Sequence, residues 1–267
     1  IPPGFEGVRI AQIFYMDEGI WAEGEDTSAQ MNLSLNSAMQ EDGALQPSHY
    51  DDLTGLSTQT WFFKLGEVWK ARVRSEGKNA TLLYMDFNGM KLFNQKYGFA
   101  EGDRLLKALS DTLARIFGKE NCAHVAADHF CSFSTDDVLE AQLQELFRAV
   151  ENLNGGRTMP LRVGIYSTAI EDVPVSYAYD RAKMACRALP KSDLSASNYY
   201  SRELLNTVRR QQHIVANIDR AVAEGWIKVY YQPIVRAVNE KICDEEALAR
   251  WIDPEEGFLS PGEFIPY

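Results

Sequence analysis

Thr81-Leu82-Leu83-Tyr84-Met85-Asp86-Phe87 is the stretch on which the fold turns. Apart from Thr81 and Asp86 it is apolar, without the alternation of a half-buried strand, so it reads as a central strand covered on both faces and ending at Asp86. On its N-terminal side Trp61, Phe62, Leu65 and Trp69 share one face of a helix. Asp51-Asp52-Leu53-Thr54-Gly55-Leu56 ahead of them reads as an acidic helix-start signal. On its C-terminal side Leu105, Leu109, Leu113 and Ile116 mark a second amphipathic helix, and residues 121–125 and 130–134 flank Ala126-Ala127-Asp128-His129 as a hairpin. Leu139, Leu143, Leu146 and Val150 give a third helix, followed by a strand at 161–168, a helix at 175–189 and a short closing strand at 198–200. Helices alternating with strands around one hairpin predict an α/β (α+β) layer fold, a sheet wrapped by helices.

Three segments are expected. Residues 1–48 carry no motif. A strand at 8–15, an acidic turn-rich stretch at 19–26, and Met31, Leu35 and Met39 at helical spacing suggest a connector or the tail of an upstream sensory domain. Residues 49–200 hold the layer fold, and 201–267 open a second unit. That unit has a long helix at 201–224 stopped by Gly225, then two strands at 226–235 and 241–251.

At 267 residues and 45% hydrophobic, the chain can fill a core. A net charge of −11 argues against non-specific binding to nucleic acid or an anionic membrane. Cys122, Cys131, Cys186 and Cys243 show no Cys-x-x-Cys pairing, so buried free thiols are expected rather than zinc or disulfides. No apolar run approaches the roughly 18–20 residues a membrane span needs. Ile1-Pro2-Pro3 reads as neither a signal peptide nor a natural start, and the chain as a cytoplasmic fragment of something larger.

Asp86 at a strand end and Asp128 on a nearby hairpin would set two carboxylates at one sheet edge, the donors that metal-assisted phosphoryl transfer requires. Taken singly, either residue is more often a turn or cap residue. The two carboxylates do not stand alone. Asp51–Leu56, the segment around Asp86, Gly102-Asp103, Ala126-Ala127-Asp128-His129-Phe130 and the helix after Pro174 together resemble the GGDEF (diguanylate cyclase) family over residues 50–200. The resemblance implies a five-stranded nucleotidyl-cyclase-like sheet wrapped by helices. It also implies a homodimer in which each protomer presents one GTP, and cyclic di-GMP made with Mg2+ or Mn2+. Residue by residue, Asp86 and the carbonyl of Phe87 match metal ligands, as does Asp128 in the signature turn. Lys91 and Arg187 match phosphate contacts, and Asn94 and Asp103 match the pair on the guanine edge.

Several positions depart from the family pattern. Ala126 and Ala127 replace glycines of the signature turn, where glycine permits positive φ and close approach of a ligand. His129 replaces the second carboxylate, Asn88 a usual Asp, Gln95 the Asp of an Asn-Asp pair, and Phe99 a usual His. Phe117 and Glu120 stand where the Arg-x-x-Asp inhibitory motif belongs. Losing one placed catalytic group costs roughly 10²–10⁴ in rate, so little cyclase activity is expected. GTP binding without turnover and no binding at all both remain open, because Asn94 and Asp103 also suit the caps of a helix starting near Gly102.

Tyr230-Tyr231-Gln232-Pro233-Ile234, Glu246-Ala247-Leu248-Ala249-Arg250-Trp251 and Ser260-Pro261-Gly262-Glu263-Phe264 resemble the opening of the EAL family, the cyclic-di-GMP phosphodiesterases built as (β/α)8-type barrels. Glu246 matches a metal ligand, and Gln232 and Arg250 match residues lining the substrate site; Asp244 stands where Gly is common. Without the resemblance, Glu246 is a solvent-facing strand residue. The rest of such a barrel is expected beyond Tyr267. The function expected is therefore regulatory: an inactive GGDEF domain that binds GTP and modulates an attached EAL phosphodiesterase. The alternatives are a residual cyclase or a ligand-free dimerisation scaffold.

Overall fold

The structure, a computed structural model, describes residues 49–266 apart from 154 and 156–158. The expectations for residues 1–48 lie outside the described residues.

The apolar run forms β1 (Ala80–Phe87), the middle strand of a five-stranded sheet. It pairs antiparallel with β3 (His129–Thr135) on one side and β4 (Leu161–Ser167) on the other. β2 (Cys122–Ala126) lies outside β3, and β5 (Ala196–Tyr199) runs parallel to β4, giving the order β2-β3-β1-β4-β5. Both faces of β1 are covered, which explains its lack of alternation. Leu83, Met85 and Phe87 face a core shared with Leu105, Leu109 and Leu113 of α3 (Phe99–Phe117) and Leu139, Leu143 and Leu146 of α4 (Asp136–Leu153). Leu82 and Tyr84 face the opposite core, with Phe62 of α1 (Gln59–Ser75) and Val175, Ala178 and Ala182 of α5 (Val175–Arg187). Each of the leucine, methionine, phenylalanine and valine side chains among these, fully buried, contributes about 1.5–3 kcal/mol. Asp86 lies on the α1/α5 side because side chains alternate along a strand.

Two local expectations are corrected. Asp51–Leu56 is not a helix start: α1 begins at Gln59, and its N-cap, Thr58, makes no side-chain cap hydrogen bond. Asp51 Oδ1 instead accepts from Thr54 N (2.8 Å) and Thr54 Oγ1 (2.7 Å), and its carbonyl accepts from Gly55 N, closing a turn that buries Leu56. Such a carboxylate competes with a helix for the same backbone donors. The second helix of the segment after β1 starts at Phe99, not near Gly102, and its N-cap is Gly98. Asn94 lies in the preceding short helix, α2 (Met90–Tyr97), so neither Asn94 nor Asp103 caps a helix start. Cys122, Cys131 and Cys186 are buried free thiols as expected, but Cys243 is exposed.

Beyond β5, the chain passes through Tyr200 and Ser201 into α6 (Arg202–Ala223). Tyr200 is buried and donates its N–H to Ile165 O (2.7 Å); Ser201 Oγ caps α6 by accepting from Leu204 N (3.1 Å). A second antiparallel sheet follows: β6 (Ile227–Val235), β7 (Ile242–Asp253) and β8 (Gly257–Leu259), with a short helix, α7 (Pro261–Phe264). Ile214 and Ala221 of α6 pack with Trp251, Leu259 and Phe264 in a small core, and His213 Nε2 lies 2.9 Å from Asp253 Oδ2.

Candidate functional site

The strand register assembles the site. Asp86 stands directly opposite His129 on β3 and opposite Arg162 on β4, so the three share one face at the same level. Asp128 is on the two-residue turn between β2 and β3. One donor atom each from Asp86, Asp128 and His129 lie within 4.8 Å of one another, and His129 Nε2 is 3.8 Å from Asp128 Oδ1. Burial and the neighbouring Asp86 carboxylate push the Asp128 carboxyl above its usual range, and His129 offsets this only in part. Arg162 Nη2 donates to Asp86 Oδ2 in a largely buried ion pair.

The turn takes its shape from Ala127, whose φ of 51° lies in the left-handed region. A bulge between His124 and Ala126 feeds it, and His124 Nε2 lies 2.8 Å from the Ala127 carbonyl while Nδ1 lies 2.9 Å from Asp51 Oδ1. The turn is thus tied to the Asp51–Leu56 turn. Phe130 is buried and stacks on His124, with ring centroids 4.7 Å apart.

Asn94 lies against α3 where Gly102 leaves room: a Cβ there would come within 2.1 Å of Asn94 Oδ1. That oxygen is buried and has no hydrogen-bond partner among the described residues. Asp103, next in sequence, is exposed, as are Lys91 in the first turn of α2 and Arg187 in the last turn of α5. Arg187 lines a groove of about 690 Å³ shared with Leu204, Thr207 and Gln211 of α6. Phe87 is buried, paired with Leu161. Of the expected residues, Asp86, Asp128 and His129 are brought together, Asn94 packs on Gly102, and Arg187 lines the α5/α6 groove.

The sequence reading missed two cations. Lys183 on α5 places Nζ 5.8 Å from the Tyr84 ring and 5.5 Å from that of Tyr179. Arg162 is the more consequential, and its signal was present: a single charge within an otherwise apolar predicted strand.

Mg2+ prefers hard oxygen donors in near-ideal octahedral geometry. Here one oxygen of Asp86 is taken by a guanidinium, the third donor is an imidazole, and Asn88 Nδ2 is held by the Ser192 carbonyl at 3.0 Å. These residues do not fit the Mg2+–nucleotide arrangement that the resemblance implies.

On the second sheet, Gln232 and Glu246 are paired in register, and Arg250 follows four residues on along the same face, its Nη1 donating to Ala249 O (2.8 Å). Glu246 is exposed and belongs to no group of three metal-donor side chains among the described residues.

Comparison with known proteins agrees with both halves. The family described as "Diguanylate cyclase, GGDEF domain" matches residues 48–191, more than half of the chain. The chain belongs to the GGDEF family. A short match to the EAL domain covers residues 215–267. The GGDEF region and the EAL segment place the chain in cyclic-di-GMP signalling, and members of both families generally use divalent metals. Among curated relatives, the cyclic di-GMP phosphodiesterase NbdA of Pseudomonas aeruginosa is 27% identical over 266 residues, 92% of this chain and 34% of that protein. The bifunctional diguanylate cyclase/cyclic di-GMP phosphodiesterase MucR of the same organism is 23% identical over 239 residues, 83% of this chain and 34% of that protein. The chain thus spans about a third of the length of these relatives. Of solved structures, the GGDEF domain of YfiN (TpbB) from Pseudomonas aeruginosa superposes with a TM-score of 0.52 at 16% identity, covering 60% of this chain and 99% of that one. Vibrio cholerae LapD S helix-GGDEF-EAL, bound to c-di-GMP, gives 0.51 at 13% identity, covering 89% and 55%. These likenesses bear on the fold. No described helix is long and apolar enough to cross a membrane.

Proposed function

We propose that residues 49–200 form a catalytically silent GGDEF domain that binds a guanine nucleotide and, through α6, biases an attached EAL phosphodiesterase. The observation that carries the reading is Asn94 Oδ1, buried without a partner among the described residues beside Gly102, the residue before Asp103. An unsatisfied buried acceptor costs about 1–3 kcal/mol, which a ligand donor recovers. Guanine offers N1–H and N2–H to such an oxygen, with Asp103 as a second acceptor. Silence follows from the other group: His129 supplies no second carboxylate, and Asp86 is already paired with Arg162. A nucleotide biases the EAL segment only if the two arrangements bind it unequally. The reading places the whole protein in the cytoplasm, where GTP is, as a homodimer of the kind the family forms. In it, Glu246, Gln232 and Arg250 serve the completed barrel.

Calorimetric titration of the chain with GTP, followed by assay of the same sample for cyclic di-GMP, tests this. The expected result is roughly micromolar binding without product. Asn94→Ala should weaken that binding at least about tenfold. Gly102→Ala should do the same by driving its Cβ onto Asn94 Oδ1, a side-chain end that can move, so the fold survives. Cyclic di-GMP in the sample, or undiminished binding by Asn94→Ala, refutes the proposal.

A further inference from the structure

The register that sets Asp86 between two strands also sets a permanent positive charge beside it. Arg162 is opposite Asp86 on β4, its side chain is 19% exposed, and its guanidinium donates to Asp86 Oδ2. The arrangement is held from above. Gly164, two residues along the same face, lets α5 approach so closely that a Cβ would sit 1.9 Å from the Ala182 carbonyl, and Cys186 Sγ donates to the Arg162 carbonyl at 3.5 Å. These contacts fix against α5 the β4 backbone from which Arg162 projects. Arg162 Nε is itself buried and has no hydrogen-bond partner among the described residues, so the guanidinium carries donor capacity beyond its bond to Asp86.

We infer that Arg162 serves as the built-in cation of this site: it neutralises Asp86 in place of a divalent metal, excludes Mg2+ and Mn2+, and leaves the pocket to take its guanine nucleotide as the metal-free triphosphate. The choice of ligand rests on the proposed function above, whereas the exclusion of metal does not. A divalent ion at Asp86 would meet a guanidinium within bonding distance of the same carboxylate, and that repulsion is screened poorly in a buried corner. A guanidinium also presents planar paired donors suited to phosphate oxygens, which a hydrated metal would otherwise bridge. Lys183, on the helix covering Gly164, adds a second positive charge to this face of the sheet.

The test has two arms. In the first, the chain without nucleotide is titrated with Mn2+ and free ion is read by electron paramagnetic resonance. Wild type should show no site sensitive to Asp86→Asn. Arg162→Ala and the closer-shaped Arg162→Gln should gain such a site, at least about tenfold tighter, and Arg162→Lys should not. An Asp86-dependent Mn2+ site in wild type, or no gain in both neutral variants, overturns the inference. In the second arm GTP is titrated in EDTA and in excess Mg2+. Equal affinity is expected, and a dependence on Mg2+ overturns the metal-free ligand. Absence of GTP binding in both buffers refutes the nucleotide reading together with the choice of ligand, while the Mn2+ arm still decides the role of Arg162.

Discussion

Replacing Ala127 with glycine should stabilise the protein, although glycine at the neighbouring position should weaken it. Ala127 sits at φ 51°, while Ala126 closes β2 in register with His129 and is not among the residues with positive φ. An L-residue in the left-handed region costs about 1–2 kcal/mol. Glycine removes that strain but adds about 0.4–1 kcal/mol of unfolded-state freedom, so Ala127→Gly should gain about 0.5–1 kcal/mol net. Ala126→Gly has no strain to relieve and should lose about 0.5–1 kcal/mol. With a urea dependence of roughly 2 kcal/mol per molar, the midpoints should move by about 0.25–0.5 M in opposite directions. Equilibrium urea unfolding followed by tryptophan fluorescence reads this directly. Shifts of the same sign, or a loss for Ala127→Gly, would refute the account of the turn, and with it the argument that the second glycine of a GGDEF signature is needed for backbone shape.

Two carboxylates near the turn should respond to pH in opposite senses. Asp128, raised by burial and by Asp86, is destabilising once charged: its contribution to stability is best below the unfolded pKa and worsens as pH rises through the folded one. Asp128→Asn should therefore gain stability at neutral pH, an advantage that vanishes in acid. Burial pushes Asp51 upward, but hydrogen bonds from Thr54 and His124 outweigh it and hold the group below its usual value. Its contribution is present above the unfolded pKa and is lost as pH falls through the folded one, so Asp51→Asn should be less stable at neutral pH, with the deficit closing in acid. Thermal unfolding across a pH series checks both. Gly164→Ala should cost about 3 kcal/mol or prevent folding, because its Cβ would meet backbone atoms of α5, which cannot turn aside; expression and urea unfolding show which.

What the sequence disclosed depended on whether the physics was local. β1 was legible to within a residue because it is apolar on both faces, and the hairpin because Ala126–His129 separates two strand-like runs, although Ala126 and His129 themselves belong to the strands. The two strands of the second sheet were legible from their apolar runs, but the register that pairs Gln232 with Glu246 was not. Asp51 was misread because the same residue types initiate helices and close turns, and only the partner of its carboxylate tells them apart. The start of α3 was misplaced because Gly102 looks like a boundary but serves as a gap for Asn94. Arg162 escaped because which residues oppose Asp86 is a matter of register, and register across β4 is set by the whole sheet.

The join between β5 and α6 has a mechanical consequence. Only Tyr200 and Ser201 separate a strand anchored in the sheet from a helix of 22 residues, and both are fastened, one in the core and the other as the cap. Such a joint has no slack to absorb rotation. A helix of this length reaches about 33 Å, so a tilt of about 5° at its base carries its far end about 3 Å. The sheet and α6 thus form a lever with a short input arm and a long output arm, and its tip is where the second sheet begins.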